Sequence, residues 1–153
     1  MWRGSILSIN IAQQAGGSMQ SVGEIRAVPG KGLEGDRYFV QSGSMPRKQG
    51  PDREVTLIEI EAIEALKHEN EILLPAGNAR RNLVTRGVPL NHLVGKKFKV
   101  GEVTLRGVRL CEPCGHLAEM TQPEVRSSLV HRGGLRAEIV TGGIIHVGDV
   151  VEE

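Results

Sequence analysis

Both cysteines of this 153-residue chain fall in one stretch, RLCEPCGHL at 109–117, as Cys111 and Cys114. A β-like run, VTLRGVRL at 103–110, leads into it, and Pro113 then turns the chain away. Cys114 is therefore expected at a strand end, where a thiol faces a cleft. Arg109 and His116 flank the pair, and a nearby cation favours the thiolate, the form that attacks electrophiles and binds soft metals. Three other readings stand beside a reactive Cys114. The pair is half of a zinc site, but the other half needs cysteines the chain lacks. A thioredoxin-like redox pair places its first cysteine at a helix N-terminus, whereas this one follows a strand. Cys111 continues an apolar strand and reads as a buried, inert thiol.

A second concentration of chemistry lies in GNARRNLVTR at 77–86, where Arg80, Arg81 and Arg86 gather with two asparagines around a short strand at 83–85. Arginine offers a planar fork for phosphate and asparagine a paired donor and acceptor. Arg80, Arg81, Asn82 and Arg86 are thus candidates for contact with an anion or a heterocycle. The competing reading is a solvated edge strand whose charges prevent mispairing. The glycine-rich loop KGLEGDR at 31–37 sets Asp36 and Arg37 side by side, either as part of a site or as a polar connector. Residues 41–53 are rich in Ser, Gly, Pro, Lys and Arg, and their one strongly apolar residue, Met45, cannot offset the cost of ordering them. A mobile loop is expected there, and Arg47, Lys48 and Arg53 suit it to close over an anionic ligand. His68, His92 and His146 read as surface residues, and His131 beside Arg132 as either helix cap or pocket lining.

The elements that must hold these groups are mostly strands. Twenty glycines and seven prolines punctuate short runs rich in Val, Ile, Leu and Thr. Strands are expected at 5–11 and 22–28 as a hairpin, at 54–58, at 83–85, and at 97–100 with 103–106 around a glycine-first loop at 101–102. A further hairpin is expected from 135–141 and 144–147, and 150–151 then closes a sheet or barrel. Ile60, Ile63 and Leu66 recur at helical spacing, predicting a helix over 59–68. A helical turn at 116–120 and a short helix at 123–132, with Pro123 first and Gly133 after its end, complete the pattern.

Length allows about one domain over 1–153. Nineteen basic and eighteen acidic residues give a net charge of +1, and aromatics make up 3%, so neither a basic footprint nor stacking platforms for nucleic acid are present. No apolar run approaches the ~20 residues of a membrane span. Two cysteines and an N-terminus without an apolar signal core lead us to expect a reducing, cytoplasmic setting.

Four pieces in order, GLEGDR at 32–37, RRNLVT at 80–85, LCEPC at 110–114 and HRGGLR at 131–136, resemble the MOSC domain, the C-terminal domain of molybdenum cofactor sulfurases. The resemblance implies a mainly β, barrel-like fold with a few short helices and binding of the pterin-based molybdenum cofactor (molybdopterin). It also implies a cysteine, here Cys114, that ligates molybdenum or carries sulfur as a persulfide. By the same match Asn82 with Arg80 or Arg81 contacts the cofactor, and Asp36, Arg37, Arg109 and Arg132 are further cofactor-site candidates. The chain is too short for the pyridoxal-phosphate desulfurase domain of the sulfurases and lacks the additional N-terminal domain of the amidoxime-reducing enzymes, so making sulfur from cysteine is not expected. A sulfur-donor or electron-donor protein is the implied partner. Two alternatives remain at this level. One is a molybdenum-dependent reductase of N-hydroxylated compounds, and the other a cofactor-free anion-binding module with structural cysteines.

Overall fold

The computed structural model describes residues 2–14, 17–39, 54–71, 80–111 and 132–153. Their strands are β1 (Gly4–Ile11), β2 (Gln20–Val22), β3 (Glu24–Val28), β4 (Gly32–Leu33), β5 (Val55–Glu59), β6 (Leu83–Arg86), β7 (Lys97–Val100), β8 (Val103–Leu110), β9 (Leu135–Thr141), β10 (Gly143–His146) and β11 (Val150–Glu152), with one described α-helix, α1 (Ile60–Asn70). Seven strands close into a barrel in the order β11, β7, β8, β9, β5, β6, β1, because β11 also pairs with β1. β2 pairs with the end of β1 at Ile9–Ile11, beyond the residues that meet β11, and β10, β3 and β4 form a separate three-stranded sheet. All neighbours are antiparallel except β5 and β6. A parallel pair needs a long crossover, and α1 lies within the one that joins them.

Alternation dictates the lining. Along β8 as far as Gly107 and along β9 as far as Ile139 every second residue is buried, so Val103, Leu105, Leu135, Ala137 and Ile139 enter the core with Ile6, Ile9, Leu57, Leu83 and Phe98. β5 is buried on both faces. Val55 and Leu57 join the barrel core, while Ile58 packs with Val84 under Ala62, Ile63 and Leu66 of α1. That two-sided burial explains why the run at 55–58 is continuously apolar or Thr rather than alternating. The helix runs two residues beyond its expected end, where Glu71 turns left-handed at φ 56 and its N–H caps the carbonyls of Leu66 and Lys67.

Three expectations about strand pairing are corrected. The run at 22–28 is interrupted at Gly23, so β2 pairs with β1 while β3 goes to the second sheet. The hairpin expected from 135–141 and 144–147 does not form. β9 pairs with β8 and β5, whereas β10 pairs with β3. The chain changes sheets at Gly142, where a Cβ would stand 2.7 Å from the carbonyl oxygen of Ala27. The charged edge strand proposed for 83–85 is an interior strand between β5 and β1, with Leu83, Val84 and Thr85 fully buried. The other connection holds. β7 and β8 are joined through Gly101 and Glu102, with Gly101 at φ 58 and Val100 opposite Val103. The loop at 41–53, the turn at 116–120 and, apart from Arg132, the helix at 123–132 lie outside the described residues.

Candidate anion site at the start of β6

Asn82 precedes β6 and is 2% exposed. Its Oδ1 accepts from the Thr56 N–H at 3.0 Å and the Thr56 hydroxyl at 3.1 Å, and its Nδ2 donates to the Asn10 carbonyl at 3.1 Å. Its backbone N–H donates to Thr56 Oγ1 at 3.0 Å, and its carbonyl accepts from the Asn10 N–H at 2.7 Å. One side chain thus locks β6 to both neighbouring strands. A buried amide engaged on both ends is satisfied rather than costly, and it fixes the backbone from which Arg80 and Arg81 project.

The two arginines, each 8% exposed, then part company. Arg81 Nε donates to the Gly133 carbonyl at 2.7 Å and its Nη2 to the Cys111 carbonyl at 3.2 Å. It therefore staples the end of β8 to the approach to β9. Arg80 sits left-handed at φ 59, a conformation that costs a bulky residue about 1–2 kcal/mol and persists only where its surroundings enforce it. Its Nη1 donates to the Gly17 carbonyl at 2.7 Å. Burial, and then the neighbouring Arg37, push the Arg80 pKa below its ordinary value, while Tyr38 and Asp36 act the other way.

Asp36 and Arg37 belong to the same neighbourhood. Asp36 Oδ1 accepts from the Ala12 N–H at 3.1 Å and from Arg37 Nη1 at 3.2 Å, docking the loop onto the end of β1. Arg37 lies 4.6 Å over the Tyr38 ring, a cation–π contact, with its Nη1 3.6 Å from Met19 Sδ. The side chains of Asp36 and Arg37 are 1% and 8% exposed. Asp36 is thus paired with Arg37, while the buried Arg80 donates to the Gly17 carbonyl, two residues from the Met19 that Arg37 touches.

The remaining candidates are elsewhere or differently engaged. Arg86 is exposed at the far end of β6, beside Gly87, whose N–H donates to Glu61 Oε2. Arg109 is exposed on β8 opposite Arg136 of β9. Arg132 pairs with Glu69 at the end of α1, and each raises the other's preference for the charged form: the Glu69 pKa falls and that of Arg132 rises. Cys111 is a free thiol 1% exposed. Cys114, His116 and His131 lie outside the described residues, and among the described residues no three His, Cys, Asp or Glu gather as a metal site. Sequence reasoning missed Asn10 and Thr56. Their signal was a polar residue set between apolar ones within a strand, Asn10 between Ile9 and Ile11 and Thr56 between Val55 and Leu57.

A small closed barrel with two buried arginines leading into one of its strands defines the class of protein: a closed β-barrel domain. A family model for the MOSC domain matches residues 45–152, and the chain belongs to the MOSC domain family. Among solved structures it is similar to the YuaD protein from Bacillus subtilis, with a TM-score of 0.78 and 17% identity over 99% of this chain and 97% of that one. It also resembles YiiM from Geobacillus stearothermophilus, with a TM-score of 0.74 and 16% identity over 97% and 74% of the two chains. For YiiM from Escherichia coli the TM-score is 0.63 and the identity 19%, over 97% and 68%. At these identities the likeness is one of fold. A search of curated proteins gave no match. No described helix is long and apolar enough to cross a membrane.

Proposed function

We propose that this protein binds the molybdenum cofactor at the start of β6, with Cys114 as the molybdenum ligand or as the carrier of sulfur to it. The observation that carries the reading is the buried charge imbalance of Arg37 and Arg80 against Asp36. A phosphate-bearing pterin dithiolene is anionic and soft, so it calls for guanidinium forks together with a thiolate. The described residues fit the first requirement: Arg80 spends one of its five N–H donors on a protein carbonyl among the described residues. Chain geometry is compatible with the second. Cys111 offers its carbonyl to Arg81, and the three residues to Cys114 span at most about 11 Å. Bound there, the cofactor would supply the redox-active metal and its sulfur chemistry. The protein's own part is to hold the anion and to present the thiol, and a sulfur-donor or electron-donor protein completes the system.

The test is metal analysis of the protein purified from a host that makes the cofactor. Molybdenum near one per chain, lost in Cys114→Ser, is the expected result. An intact barrel that never carries molybdenum overturns the reading.

A further inference from the structure

β7 carries charge that its place in the barrel does not require. Lys97 and Lys99 stand exposed on its outer face, while Phe98 and Val100 enter the core, and Lys96, also exposed, precedes them. Lysines on a strand ordinarily guard a free edge against mispairing. Here β8 pairs along all of β7 and β11 covers Lys99 and Val100, so edge protection accounts at most for Lys97. The register makes the charge costly as well. Lys97 lies directly opposite Arg106, and like charges facing each other across two strands destabilise the pairing. The carboxylates on the flanking strands are taken. Glu138 of β9 pairs with Arg106 at 3.1 Å, and Glu152 of β11, opposite Lys99, pairs with Arg3 at 3.5 Å. Among the described residues none of the three lysines makes an ion pair. The net charge of +1 conceals this wall because acidic residues gather across the barrel. α1 packs on β5 and β6, each the third strand from β7 around the barrel, and Glu59, Glu61, Glu64, Glu69 and Glu71 lie in or beside that helix.

We infer that the outer wall made by Lys96, Lys97 and Lys99 with Arg106 is a docking face for a protein that presents an acidic surface. Carboxylates of such a partner accept from the lysines and relieve the repulsion between Lys97 and Arg106. The separation of this wall from the acidic helix orients the partner as it approaches. An acidic protein fits better than a nucleic acid. Glu138 and Glu152 interrupt the positive charge, and the outward residues Lys97, Lys99, Thr104 and Arg106 include no aromatic ring to stack on a base. The wall continues along β8 to the exposed Arg109, two positions before Cys111. It therefore gives the donor protein of the cofactor reading a place to dock, yet it stands without that reading.

The experiment is a titration of the full ¹⁵N-labelled chain with an oligoglutamate peptide at low ionic strength, followed by chemical shift, beside a parallel titration with a duplex oligonucleotide of equal charge. Saturable shifts confined to 96–99 and 103–109 are expected, and they should fade as salt screens charges beyond about 8 Å near physiological ionic strength. Lys97→Glu should weaken peptide binding about fivefold or more, while Lys67→Glu, the same change of charge on the exposed side of α1, should stay within about twofold of wild type. The urea midpoint of Lys97→Glu should equal or exceed that of wild type, because a carboxylate then faces Arg106, so lost binding is not lost fold. A lower midpoint would remove the cross-strand repulsion on which the face rests. Absence of saturable shifts, or equal weakening by both variants, overturns the assignment, the latter because it reports net charge alone. Tighter binding of the oligonucleotide overturns it in favour of nucleic acid. Concentration-dependent shifts on β7 and α1 without peptide overturn it in favour of a second copy of the chain. Molybdenum content, measured on the same preparation, reports on the cofactor alone, so the two readings fail separately.

Discussion

At the scale of single residues, the two cysteines are separated by environment. Cys111 is 1% exposed, its N–H donates to the Gly134 carbonyl at 2.8 Å and its own carbonyl is held by Arg81. It is built into the wall. Cys111→Ser should therefore retain bound molybdenum but lower stability by about 1–3 kcal/mol, because a hydroxyl replaces a weakly polar thiol where water is excluded. Metal analysis and urea unfolding on the same samples check both halves. Equal metal loss in Cys111→Ser and Cys114→Ser would instead mean that the thiols work as a unit. The sequence made Cys111 legible as buried because it continues an apolar strand. It also made the density of Arg80, Arg81 and Asn82 legible as unusual. It did not show that Arg37 and Arg80, forty-three positions apart, both reach the segment of Gly17 and Met19, because that depends on how β1 and the 31–37 loop dock.

At the scale of elements, α1 carries two local features with measurable consequences. Glu71 ends the helix left-handed at φ 56 and is exposed, a position where glycine avoids the Cβ penalty. Glu71→Gly should raise stability by about 0.5–1 kcal/mol in urea unfolding. Glu59, which precedes the helix, has its pKa raised above 4.5, first by burial and then by Glu61, against the opposing pull of the Leu90 backbone, His92 and Arg132. The folded state thus holds that proton more tightly than the unfolded chain. The stabilisation is fully present below pH 4.5 and is lost as pH rises through the raised value. Glu59→Gln should consequently be more stable than wild type at neutral pH, with the gap closing on acidification. A gap that widens toward acid would reverse the sign and the explanation. Local period and turn chemistry revealed nearly every strand and this helix. They failed at Gly23 and Gly142, where the chain leaves one sheet for another, because alternation reads the same whichever neighbour a strand chooses.

At the scale of the molecule, closure of the barrel depends on a short last strand. β11 meets β1 through Gly4 with Val151 and Ser5 with Val150, and meets β7 through Val151 with Val100 and Glu152 with Lys99. Val151 is fully buried in the central core, so it joins the last strand to the first both by ladder and by packing. Without that seam β1 and β7 become open edges, and open edges expose unpaired backbone groups. Val151→Ala should cost about 2–4 kcal/mol from lost burial and the cavity left behind, a large share of the 5–15 kcal/mol typical of a domain. Val147, 45% exposed in the preceding turn, is the control, and Val147→Ala should change stability by less than about 0.5 kcal/mol. Because the barrel strands share one core, the Val151 variant should still unfold in a single urea transition with an unchanged slope, shifted to lower concentration. Hydrogen exchange should then show amides of β1, β5 and β8 losing protection together. Loss confined to β11 and β7, with β5 and β8 unaffected, would mean that the seam frays locally and that the barrel stands without it.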